Sequence, residues 1–136
     1  MPFNSSATVA YYALLPDEML LGPPSANLVF VSANAPGALP FDHNLIIDAA
    51  LERIRSKASY STLPAFLLPP TFTLSRLRGV YERVMGVVLN DSAFCRKIDE
   101  LDILEPVSGA TSKLSARPAQ LYRLKQAALR AFDRGI

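Results

Sequence analysis

Residues 90–101, NDSAFCRKIDEL, bring two kinds of side chain onto one helical repeat. Phe94, Ile98 and Leu101 follow an i, i+4, i+7 stripe, and Ala93, Arg96, Lys97 and Glu100 occupy the opposite one. If the apolar stripe packs inward, the other faces out, where Ser92, Arg96 and Lys97 could offer donors to base edges in a major groove. The same pattern also fits a solvated charged face. Further along, Lys113, Arg117 and Arg123 are spread through a small, polar stretch, residues 108–116, and its return. These cations and the backbone N–H groups of such a loop could grip phosphates beside the groove, and a hairpin with incidental basic residues is the plainer alternative.

Other chemistries find little support. Metal-dependent pyrophosphate hydrolysis needs clustered carboxylates to hold divalent ions, whereas the five glutamates, at 18, 52, 82, 100 and 105, are nowhere adjacent. Asp99, Glu100, Asp102 and Glu105 form one acidic patch without the glycine-shaped loop of a calcium site. His43 is the only histidine, so it has no histidine partner for a metal, and no nucleophile-elbow pattern accompanies it. Cys95 is the only cysteine, which excludes an intrachain disulfide; beside Phe94 it reads as a buried, inert thiol. The expectation is a protein that is not an enzyme, with no metal and no cofactor.

The elements that would position these residues can be read around them. Thr73 is a helix cap, Leu74, Leu77, Val80, Tyr81, Val84 and Met85 follow at helical spacing, and Gly86 ends the helix. Asn90 or Ser92 caps the second helix. A strand, the polar loop and a second strand complete residues 69–124, in the order of a winged helix-turn-helix. The apolar connector 60–70 is expected to pack, as a short helix stopped by Pro69 and Pro70, and residues 125–134 read as a terminal helix carrying Ala128, Leu129, Ala131 and Phe132. Upstream, residues 8–15 (TVAYYALL) and 28–32 (LVFVS) read as strands. Asp42 caps a helix from His43 to about Ser56, with Ile47, Ala50, Leu51 and Ile54 on one side.

Three separated segments, FTLSRLRGVYERVMG, AFCRKIDELDILEP and RPAQLYRL, together resemble the C-terminal winged-helix domain of the Nudix-related transcriptional regulators, the NrtR-type repressors of NAD biosynthesis genes. AYYALLP and LVFVSANAPGALPFDHNLIIDAALERIR more loosely resemble the end of the Nudix-like sensor domain of that family. The resemblance implies duplex DNA as partner, and an ADP-ribose-like effector only where the sensor is completed, since further strands and the catalytic helix of a Nudix fold do not occur before Val9. The start of the second helix, usually basic in the family, is Asn90-Asp91-Ser92-Ala93 here, which is expected to lower phosphate affinity.

Fifty per cent hydrophobic content over 136 residues suffices for a packed core. Residues 1–68 hold three Lys or Arg against five Asp or Glu, and residues 69–136 hold eleven against seven, so positive charge gathers where the helix-turn-helix lies. No apolar run is long enough to cross a bilayer, and the lone cysteine fits a reducing compartment, so the expected location is the cytoplasm. The resulting expectation is an α+β chain: a partial Nudix-like segment of two strands and a helix over 7–59, and a winged-helix domain with a C-terminal helix over 60–136. Its expected role is DNA-binding transcription regulation; the alternative is an interaction or nucleotide-sensing module that does not bind DNA. Uncovered apolar strands in the first half point to a homodimer.

Overall fold

The computed structural model describes residues 6–20, 27–112 and 117–136. It divides into two compact units, Met1–Leu51 and Glu52–Ile136, and the boundary falls inside helix α1 (His43–Ser59).

The first unit holds little regular structure ahead of α1. A single 3-10 turn spans Asp17–Leu20, and residues 8–15 and 27–32 join no ladder. The two strands expected there therefore do not form. A strand is stabilised by hydrogen bonds to a neighbour, and among the described residues none pairs with either segment, so high strand propensity alone leaves them without regular structure. Their apolar side chains stay at the surface, Val9, Tyr11, Val29 and Phe30 among them. At the entrance to α1, Asn44 organises the turn: its Oδ1 accepts from the Leu39 N–H at 2.8 Å and its Nδ2 donates to the Gly37 carbonyl at 2.8 Å. The main-chain carbonyl of Asp42 accepts the Ile46 N–H at 3.1 Å, and α1 runs one short turn beyond the expected Ser56.

The second unit contains the core. A short 3-10 helix, Leu63–Leu67, forms in the connector as expected. Helix α2 (Leu74–Met85) is capped by Thr73, whose side chain accepts from the Arg76 N–H at 3.2 Å, and ends at Gly86 in the left-handed conformation, φ 71°, which glycine adopts without steric cost. Helix α3 (Asp91–Leu101) is capped by Asn90, which accepts from the Ala93 N–H at 2.9 Å. Strands β1 (Leu104–Ser112) and β2 (Ala119–Leu124) pair antiparallel, Leu104 opposite Leu124 and Glu105 opposite Arg123. Phe72 adds a one-residue third strand: its N–H donates to the Tyr122 carbonyl at 2.9 Å, and its carbonyl accepts the Tyr122 N–H at 2.8 Å.

Phe72, Leu77, Tyr81, Phe94, Ile98 and Ile103 close the centre of this unit, with Ala65 and Phe132 at its margins. The apolar stripes expected on the two helices are the ones buried. The Tyr81 and Phe94 rings meet tilted, 5.7 Å apart, and the Tyr81 hydroxyl donates to the Ser61 carbonyl at 2.6 Å. Burial pushes the Tyr81 phenol well above its ordinary pKa.

The terminal helix expected over 125–134 is absent. Those residues run as an irregular strap beside the end of α1. The Thr62 N–H donates to the Arg130 carbonyl at 2.9 Å, the Arg130 N–H to Thr62 Oγ1 at 2.9 Å, and the Phe132 N–H to the Tyr60 carbonyl at 2.6 Å. A helix of ten residues is marginal in water, so these tertiary bonds and the burial of Phe132 outweigh local propensity.

Candidate nucleic-acid interface

The outward face of α3 is the one the periodicity requires. Ser92, Ala93, Arg96 and Glu100 are exposed and Lys97 is half-buried, all opposite the buried Phe94 and Ile98. Among the described residues, Arg96 and Lys97 have neither an ion pair nor a side-chain hydrogen bond, so their donors are available to a ligand. Asp99 lies to the other side: with Cys95, Leu74, Leu104 and Tyr122 it lines a shallow cleft of about 90 Å³ between α3 and the sheet. Cys95 is thus half-exposed at that cleft rather than buried.

Three other acids around α3 are met by cations. Arg78 Nε lies 3.6 Å from Asp91 Oδ1, Lys125 Nζ lies 2.6 Å from Asp102 Oδ1, and Arg123 pairs with Glu105 across the strands. Of the acidic patch seen in the sequence, Asp102 and Glu105 are therefore taken up in separate ion pairs, while Glu100 stays on the exposed face of α3. Arg123, a candidate phosphate contact, is held by its neighbour on β1, while Arg117 is exposed just ahead of β2. Lys113 lies outside the described residues.

Between the Pro106–Tyr122 and Thr111–Gln120 pairs, residues 107–110 stand opposite Leu121 alone. Gly109, at φ 71°, turns the backbone in this bulge. The Gln120 amide fills it: Nε2 donates to the carbonyls of Val107 at 2.9 Å and Leu121 at 2.9 Å, with that of Ala110 at 3.4 Å. Nothing in the sequence pattern singled Gln120 out, because a polar residue on a strand face normally points to solvent.

Asp102 ends α3 in the left-handed conformation, φ 50°, which costs a non-glycine residue strain. The hydrogen bond from Lys125 and its charge hold the Asp102 carboxyl below the usual carboxylate pKa. A carboxyl whose pKa is lower folded than unfolded stabilises the fold above its unfolded pKa, and that contribution disappears as pH falls through the folded value. Lys125→Met should therefore flatten the acid limb of a stability-versus-pH curve, measured as urea midpoints. It should also return the Asp102 carboxyl to the ordinary range in an NMR titration; an unmoved Asp102 would show that the Lys125 contact does not persist in solution.

Residues 64–124 match the family described as the NrtR DNA-binding winged helix domain. A curated relative, the ADPR responsive transcriptional repressor NtrR of Acinetobacter baylyi, is 34% identical over 137 residues, which cover 97% of this chain and 53% of the relative. Two structures of Shewanella oneidensis NrtR are 37% identical and cover 73% of this chain and 45% of theirs. The one complexed with a 27mer DNA superposes with a TM-score of 0.59, the other with 0.58. The chain spans about half the length of the relatives it matches. A capped pair of helices and a two-stranded wing thus give residues 64–124 the fold of the NrtR DNA-binding winged helix domain whose sequence they match.

Proposed function

We propose that this chain is a sequence-reading, DNA-binding transcription regulator. The observation that carries the reading is the outward face of α3, where Arg96 and Lys97 keep their donors unpaired among the described residues while Asp91, Asp102 and Glu105 are matched by Arg78, Lys125 and Arg123. The similarity to a protein determined with DNA supports it. In this reading Ser92, Arg96 and Lys97 meet base edges, and Lys113 and Arg117 at the wing meet phosphates. Arg123 approaches the backbone while held by Glu105. The chain works without a catalytic step, as a regulator in the cytoplasm.

The test is binding of the purified chain to a random duplex library at low salt, followed by titration with salt. Binding that falls with log salt at a slope of about −3 for these three phosphate contacts is the expected result. Retention of no duplex at low salt overturns the reading.

We further propose that the first unit belongs to a sheet completed by other chain segments, and that a response to an ADP-ribose-like effector depends on that completion. The name of the Acinetobacter relative supports such a response, and the alignment reaches across both units of this chain. Two-fold self-association through residues 8–15 and 28–32 would cover their exposed apolar side chains and present two reading helices to a pseudo-palindromic site. Light scattering should therefore report a dimer at tens of micromolar. A clean monomer at that concentration refutes self-association, and a dimer that survives removal of residues 1–28 places the contact elsewhere.

A further inference from the structure

We propose that Glu82 and Arg78 are positioning residues for the reading helix: together they hold both main-chain polar groups of Leu89 and so set how α3 departs from α2. Glu82 Oε1 accepts the Leu89 N–H at 2.9 Å, and Arg78 Nη1 donates to the Leu89 carbonyl at 3.3 Å. The two side chains lie one helical turn apart on α2, so they reach the same residue from one face. Glu82 also holds the beginning of the link, its main-chain carbonyl accepting from Gly86 at 2.8 Å and Val87 at 3.2 Å.

The link needs such a clamp. Val88 is 94% exposed and Val87 46%, so the middle of the connection has little packing to define its path. Leu89 is the last residue before Asn90, and Asn90 caps α3. Fixing the peptide groups on either side of Leu89 therefore fixes where α3 begins, and every side chain on its outward face follows. Arg78 adds a second effect: its Nε stands 3.6 Å from Asp91 and opposes a negative charge in the first turn of α3, where phosphate would approach.

The clamp is a property of the protein alone, and only its consequence for specificity rests on the DNA-binding reading. The experiment therefore has two arms on the full chain. In the first, NMR follows amide exchange of Leu89 and residual dipolar couplings of α2 and α3 without DNA. Glu82→Ala should speed Leu89 exchange about tenfold, the loss of one ordinary hydrogen bond, and change the α3 couplings relative to those of α2. Glu82→Gln, whose amide oxygen still accepts, should keep both near the original. In the second, the duplex pool enriched by the original chain is compared with scrambled duplex of equal length. Glu82→Ala should lower the ratio of affinities about tenfold, comparable to one mismatched base pair, with scrambled-duplex binding retained. Glu82→Gln should restore the ratio.

Unchanged Leu89 exchange and α3 couplings in Glu82→Ala overturn the clamp whatever happens with DNA. An equal loss of both affinities, accompanied by a lowered melting temperature, also overturns it, because that is the signature of general destabilisation. If the original chain selects no duplex, the DNA-binding reading fails, and the clamp is decided by the first arm.

Discussion

Phe94→Ala should cost the winged domain about 3–5 kcal/mol, the range for deleting a large aromatic from a closed core. Phe94 is 2% exposed and is the residue by which α3 contacts the Tyr81 ring on α2. Its removal opens a cavity against the Tyr81 ring, and Tyr81 cannot readily follow, because its hydroxyl is anchored on the Ser61 carbonyl. Domains of this size have only about 5–15 kcal/mol in total, so the variant should unfold at a markedly lower urea midpoint with an unchanged slope. Phe94→Leu should recover most of the loss. The near-ultraviolet signal of the tyrosines reports the transition. A cost below about 1 kcal/mol would mean that α3 is not seated on α2 through this ring.

What the sequence disclosed depended on how locally each element is specified. Thr73, Gly86 and Asn90 act on bonds within a few residues, so the limits of α2 could be read directly and the cap of α3 narrowed to Asn90 or Ser92. The stripes ending in Met85 and Leu101 repeat often enough to show which face is buried. Phe72 forms a single bridge, too short for any periodicity, and its strand role depends on Tyr122, fifty residues away in sequence. Residues 8–15 and 125–134 failed in opposite ways. The first has strand propensity but no ladder partner among the described residues. The second has helical spacing, yet its backbone groups are taken by Tyr60 and Thr62. At the site, Arg96 and Lys97 were legible because orientation follows from the helix repeat. The pairing of Arg123 with Glu105, the filling of the bulge by Gln120 and the hold of Glu82 on Leu89 all depend on where two separated segments meet, which no local pattern encodes.

That distinction between face and partner shapes the expected result for Arg96→Ala with Lys97→Ala. Under the proposed function, the double variant should lose sequence preference while remaining folded. Both side chains project from the face opposite Phe94 and Ile98, so their truncation leaves the core intact. A good base contact discriminates by about 1–3 kcal/mol, so losing two such donors should cut the preference for a selected duplex by one to several orders of magnitude. Lys113→Ala should behave differently, because a phosphate contact carries no base information: affinity for all duplexes should fall together, and the salt slope should shrink by about one. Glu100→Gln supplies the converse, since it removes the one acid on the α3 stripe that also bears Arg96 and Lys97 and should strengthen binding to every duplex at low salt. Binding curves at two salt concentrations, with selected and scrambled duplexes, separate these outcomes. Equal loss on both duplexes for the double variant would make Arg96 and Lys97 phosphate anchors instead of base readers. Unchanged binding by that variant would remove α3 from the interface altogether.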